Sequence, residues 1–139
     1  MDLTGVKTAE IKTISDENAI SKMILDAAFR VHSAVGSGLL EKVYETCLAY
    51  ELRTAGLNVR TQVALPLVYK GLKIDVACRL DLLVNDLVVI ELKSVDALVA
   101  IHQAQLISYL KLSKKKLGLL INFNVVHLRD GIKRVVNNL

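Results

Sequence analysis

The chain has no tryptophan, only two phenylalanines and four tyrosines among 139 residues, so an aromatic platform for stacking single-stranded bases has little material to be built from. Its two cysteines, Cys47 and Cys78, lie far apart inside apolar stretches, and His32, His102 and His127 are equally scattered. That spacing excludes a disulfide framework and a zinc motif and leaves two buried reduced thiols as the expectation. The longest apolar stretches, within Asp86–Leu92 and Leu117–Ile121, fall well short of the roughly 18 to 20 residues that span a bilayer. Met1 to Glu10 mixes acidic, basic and small residues without the layout of a secretory signal, so a cytoplasmic protein with no membrane partner is expected. There are no repeats or low-complexity segments. Gly36-Ser37-Gly38 resembles a phosphate loop only superficially, because no strand precedes it and no Gly-Lys-Ser or Gly-Lys-Thr follows.

What is present is 53% hydrophobic residues, ample for the core of one domain of this size. We expect a single globular unit over 15–139 behind a flexible segment, 1–14. The net charge is +4, with Lys111, Lys114, Lys115 and Lys116 clustered and Lys133 beside Arg134, a weak attraction for polyanions.

Apolar residues at Ile20, Ile24, Ala27 or Ala28, Val31 and Val35 recur every three or four positions and predict a helix over 16–34, with Ser15 as its cap. Leu40, Val43, Cys47 and Tyr50 predict a second helix over 39–55, stopped at Gly56. From Val59 the pattern becomes β-branched and apolar, broken by Tyr69-Lys70-Gly71-Leu72 and Val84-Asn85-Asp86-Leu87, which predicts three strands joined by hairpins. Pro66 argues that the first of these is irregular or at an edge. The third, Leu87–Ser94, is apolar at consecutive positions, as expected of a central strand covered on both faces. Asp96 is expected to cap a third helix ending near 112, and Leu117–Asn122 returns as a strand, a parallel crossover. Asp130-Gly131 predicts a closing hairpin between Val125–Arg129 and Ile132–Val136. The fold class is thus α/β (α+β), a mixed sheet with antiparallel hairpins and one parallel crossover, flanked by about three helices.

Carboxylates interrupt the apolar central hairpin at Asp81, in Arg79-Leu80-Asp81, and at Glu91, in Ile90-Glu91-Leu92-Lys93. Charge there is costly unless it is paired or metal-bound. Strand alternation puts Glu91 and Lys93 on one face and Leu92 on the other. A two-residue turn at Asn85-Asp86 would set Asp81 opposite Ile90; a three-residue connection, Asn85 to Leu87, or a bulge sets it opposite Glu91, and the site requires one of these. Two adjacent oxygen donors suit Mg²⁺ or Mn²⁺, and Lys93 beside them would orient a nucleophilic water and offset transition-state charge. The bland alternative is a partly exposed Glu91–Lys93 salt bridge with Asp81 at a sheet edge.

More than this trio is patterned. Gly38-Leu39-Leu40-Glu41-Lys42-Val43-Tyr44, Arg79-Leu80-Asp81, Ile90-Glu91-Leu92-Lys93, Gln105 with Tyr109-Leu110, Gly118-Leu119-Leu120-Ile121-Asn122-Phe123 and Lys133-Arg134-Val135-Val136 occur in order over about 18–137. Together they resemble the GxxExxY proteins, a bacterial and archaeal group of the PD-(D/E)XK nuclease superfamily. The resemblance implies a restriction-endonuclease-like core with Asp81, Glu91 and Lys93 at the nuclease positions. It also implies that Glu41 reaches the metal, directly or through water, against the alternative of a glutamate favoured in the first turn by the helix dipole. Gln105 and Tyr109, one helical turn apart, become candidates to position substrate, while His102 and Tyr44 are read as structural neighbours.

The reading is a Mg²⁺- or Mn²⁺-dependent nuclease for nucleic acid, with DNA the expected substrate and cutting abolished by chelator. Its rival is a nucleic-acid-binding or assembly module that keeps the fold and cleaves nothing. A third reading is a subunit that completes its groove with a protein partner or as a homodimer.

Overall fold

The computed structural model describes residues 16–139, apart from the side chains of Val76 and Ala77. The segment expected to be flexible, 1–14, and the expected cap Ser15 lie outside the described residues. Helix α1, Glu17–Val35, is capped by Asp16, whose carboxylate accepts the Asn18 N–H at 3.0 Å. Its periodic residues Ile20, Ile24, Ala27, Ala28 and Val31 are buried, as the spacing requires. Helix α2, Glu41–Thr54, starts two residues later than expected because Leu39 and Leu40 stay outside it; Leu40 is extended, with ψ 149°. Gly56, at φ 92°, turns the chain out of α2, a conformation that glycine adopts without strain.

Strands β1 (Val59–Tyr69), β2 (Leu72–Val84) and β3 (Val88–Lys93) are consecutive antiparallel neighbours. The β1–β2 register shifts between Leu65 and Leu67, around Pro66, and β1 is an edge strand, so both expectations for that proline hold. Helix α3, Ala100–Ser113, carries the chain across to β4 (Leu117–Asn122), which pairs with β3 in parallel. Strand β5 (Ile132–Val136) completes a five-stranded sheet in the order β1-β2-β3-β4-β5.

Two expectations are corrected here. Asp96 does not cap α3: residues 94–99 form an irregular loop, and at the helix start His102 Nδ1 accepts the Val99 N–H at 3.1 Å. Nor does Asp130-Gly131 make a hairpin. Residues 128–131 form a short 3₁₀ turn, and β5 pairs with β4 rather than with Val125–Arg129. Gly131 is needed for space instead of turn geometry, since a Cβ there would stand 2.2 Å from the Asn122 carbonyl oxygen.

Each face of the sheet is covered. Leu82, Val84, Val88, Ile90 and Leu92 share a core with Ile20, Ile24, Leu48 and Leu52 of α1 and α2. Leu83, Val89, Leu120 and Val135 form a second core with Leu106 and Leu110 of α3. This double cover is why β3 is apolar at consecutive positions and buried from Val88 through Leu92. The expected mixed α/β architecture is the one observed. Among the described residues no helix is long and apolar enough to cross a membrane.

Candidate metal-dependent active site

Of the two arrangements that would let Asp81 meet Glu91, the β2–β3 connection has the three-residue one, Asn85 to Leu87. Asn85 and Asp86 take left-handed φ values of 50° and 56°, the Leu87 N–H closes the turn on the Val84 carbonyl at 3.0 Å, and Val84 pairs with Val88. The ladder ends at Leu82↔Ile90, and one further step of the same register sets Asp81 opposite Glu91.

At that step side chains replace the missing ladder bonds. The Asp81 N–H donates to Glu91 Oε1 at 3.3 Å, and the Leu92 N–H donates to Asp81 Oδ2 at 2.9 Å. The two carboxylates are thereby held at the point where β2 parts from β3. Leu92 itself points into the α1/α2 core, leaving Glu91 and Lys93 to the other side.

A polar chain extends from Asp81 to α2. Gln62 Nε2 donates to Asp81 Oδ1 at 3.4 Å and to Glu45 Oε1 at 2.5 Å, and Lys42 Nζ lies 2.6 Å from Glu45 Oε2. Glu45 is only 4% exposed. Gln62 sits between the pairs Thr61↔Leu82 and Val63↔Leu80 with φ at 52°, a left-handed residue inside a strand. Glu41, Lys42, Glu45, Gln62, Asp81 and Leu92 line a cleft of about 140 Å³.

Burial, and then the neighbouring Asp81 charge, push the Glu91 carboxyl up to about 8, against the pull of the Asp81 N–H and Lys93; Glu41 adds to the rise. Burial also raises Asp81, opposed by its bond from the Leu92 N–H and by Gln62. Among the described residues the ion pairs are Arg30–Glu51, Lys42–Glu45 and Lys115–Asp86, so no Glu91–Lys93 salt bridge forms and neither acid of the hairpin has a cationic partner within bonding distance. Two adjacent hard oxygen donors, Glu91 buried and Asp81 half-buried, with no cation within bonding distance fit a divalent cation of the Mg²⁺ or Mn²⁺ kind. No group of three or more His, Cys, Asp or Glu is drawn together tightly enough to hold a metal among the described residues. The candidate site is the Asp81–Glu91 pair, with Glu41 lining the same cleft as Asp81.

The tyrosine of Gly38-x-x-Glu41-x-x-Tyr44 holds the loop that leads into Glu41, and the glycine takes a left-handed φ of 86° within it. Tyr44 Oη donates to the Gly36 carbonyl at 2.7 Å and accepts the Leu39 N–H at 3.1 Å, while its ring stacks on Phe123 with centroids 4.4 Å apart. Ser94, one residue past Lys93, ties the same loop to β3 by donating to the Leu39 carbonyl at 2.6 Å. Asn122, opposite Lys93 in the register, binds both the N–H and the carbonyl of Val95.

On α3, Gln105 Nε2 donates to Tyr109 Oη at 3.0 Å. Burial raises the Tyr109 hydroxyl, helped by Cys78 and by the charges of Glu91 and Asp81. His102 is turned to the start of its helix and takes no part. The lysine cluster is at the wrong end of the sheet: Leu117, just after Lys116, pairs with Val88 at the start of β3, whereas Glu91 and Lys93 lie at its finish. Cys47 and Cys78 are free thiols, half-buried where full burial was expected. Glu45 and Gln62 were missed by sequence reasoning. The first had a signal, an acid on the same helical stripe as Leu48 and Leu52; the second is revealed only by strand pairing.

The family model of the PD-(D/E)XK nuclease superfamily matches residues 18–135, and the chain belongs to that superfamily. No significant match appears among curated proteins or among solved structures.

Proposed function

We propose that the protein is a Mg²⁺- or Mn²⁺-dependent nuclease that hydrolyses phosphodiester bonds of nucleic acid, DNA in particular, in the cytoplasm. The observation that carries this reading is the Asp81–Glu91 pair, buried at Glu91 and half-buried at Asp81, hydrogen-bonded across the end of the β2–β3 ladder with no cation in an ion pair to either acid.

Asp81 and Glu91 hold the cation, with Glu41 contributing from the rim of the cleft. When bound, the metal supplies charge neutralisation and an acidified water. Gln62 restrains Asp81 and ties it to the buried Glu45, so the ligand keeps its orientation. Lys93 orients the attacking water and offsets negative charge that develops on the phosphate. Gln105 and Tyr109 donate to the phosphate that is cut.

The test is calorimetric titration of Mn²⁺ into the wild type and into Asp81→Ala and Glu91→Ala, with cleavage of plasmid and oligonucleotides followed in parallel. Binding and cleavage lost together in both variants support the reading. A folded wild type that binds no metal and cuts nothing refutes it in favour of a non-catalytic module.

A further inference from the structure

The β1–β2 hairpin is longer than the sheet needs. Strand β2 has 13 residues, but β3 pairs only with Leu82, Leu83 and Val84, and from Asp81 back to Leu72 its one strand partner is β1. The base of this ribbon, at Leu65, Leu80 and Cys78, packs with α3. Beyond the register shift around Pro66 lies a tip made of the pairs Leu67↔Ile74, Val68↔Lys73 and Tyr69↔Leu72, closed by left-handed Lys70 and Gly71.

The tip exposes large apolar side chains: Val68 and Tyr69 are 60% exposed and Leu72 is 63% exposed. A two-stranded ribbon is at best marginally stable alone, so such residues on one mark a surface that is covered in use. The charge of the ribbon indicates what covers it. Lys70 and Lys73 flank the apolar residues, and Arg79 continues the positive charge towards the site against the single acid Asp75. Among the described residues none of these three cations is in an ion pair. Lysines on an exposed ribbon oppose strand addition by another protein but suit phosphates.

The geometry points to the Val68–Lys73 tip as an arm that grips duplex nucleic acid beside the scissile bond. This inference rests on the nuclease reading and extends it to the substrate's form. Asp81 lies eight positions beyond Lys73, so at about 3.3 Å per residue the tip stands roughly 26 Å from the acids, or about eight base pairs along a duplex. A two-stranded ribbon fits the major groove, and exposed apolar residues on it pack against base edges or thymine methyls.

Fluorescence anisotropy in a Lys93→Ala background, where cutting is suppressed, tests this with a DNA duplex of about 30 base pairs and one of about six, too short to span from site to tip. The expected result is that Lys70→Ala/Lys73→Ala and Tyr69→Ala each weaken binding of the long duplex about tenfold. The double lysine variant also lowers the slope of log affinity against log salt by about 2. The short duplex binds all versions alike. Circular dichroism checks that these exposed substitutions leave the fold intact. Equal affinity and equal salt slope on the long duplex overturn the arm while leaving the nuclease reading in place. Sedimentation that reveals lost self-association with unchanged DNA affinity overturns it too, in favour of a protein contact. If the protein with an intact arm binds no nucleic acid at all, the nuclease reading fails and the arm fails with it.

Discussion

Asp81 and Glu91 are joined across the end of the β2–β3 ladder: the Asp81 N–H donates to Glu91 Oε1, and the neighbouring Leu92 N–H donates to Asp81 Oδ2. Each carboxyl group thus does the work of a backbone carbonyl, and the charge on Asp81 makes ionisation of Glu91 more costly. Folding forces two acids together, and their electrostatic cost is what a cation would relieve.

Asp81→Asn and Glu91→Gln keep an oxygen to accept these same bonds but remove the charge. Each is expected to lower Mn²⁺ affinity by at least about 100-fold in calorimetry, beyond what a supporting residue costs. Each should also raise the melting temperature of the metal-free protein at pH 8. A drop in melting temperature would mean that the acids are already compensated.

The Glu91 shift gives a pH dependence. In the unfolded chain this carboxyl ionises near 4.5 and in the folded protein near 8, so between those values the folded state binds the extra proton. Stability of the metal-free protein should therefore fall as pH rises from about 5 to about 8, by several degrees in melting temperature. Saturating Mg²⁺ or Mn²⁺, which competes with that proton, should oppose the fall, and Glu91→Gln should flatten it. Thermal melts at successive pH values with and without metal decide this.

Lys93→Met retains the aliphatic stem of the side chain and removes the ammonium. Metal binding should persist while cleavage falls about 100- to 1,000-fold, the usual effect of deleting a group that stabilises transition-state charge. Single-turnover assays at saturating metal separate the two effects.

Tyr44→Phe deletes the hydroxyl that accepts the Leu39 N–H and donates to the Gly36 carbonyl while keeping the ring on Phe123. A loss of about 1–3 kcal/mol in stability is expected by urea denaturation, with Mn²⁺ affinity reduced less than in Asp81→Asn. Equal losses of affinity would make the hydroxyl part of the metal site.

Gly131→Ala should destabilise strongly, by about 3 kcal/mol or more, because the added Cβ would meet the Asn122 carbonyl and displace the backbone that leads into β5. Chemical denaturation measures the loss.

The elements were legible wherever their cause was local. The spacing from Ile20 to Val31 and the unbroken apolar run of β3 report directly which faces are buried, and the need for a three-residue β2–β3 connection or a bulge followed from strand alternation once Asp81 and Glu91 were required to meet. Helix caps were less legible: Asp96 is a capping residue type, but the third helix starts behind Val99, because where that helix starts depends on how the loop 94–99 is held. Asp130-Gly131 misled for a related reason. A turn-forming pair reads as a hairpin in isolation, whereas its glycine serves a close approach to β4.

The sequence by itself determined the layered α/β pattern, the apolar core and the acids and lysine that stand out against it, since hydrophobic periodicity and the cost of isolated charge act residue by residue. Only the tertiary structure decided that Glu45 and Gln62 join Asp81, that the lysine cluster lies at the far end of β3, and that β2 outruns β3 to leave a ribbon in solvent. Those facts depend on strand register and on which ends of the elements meet, contacts between residues distant in the chain that no local pattern encodes.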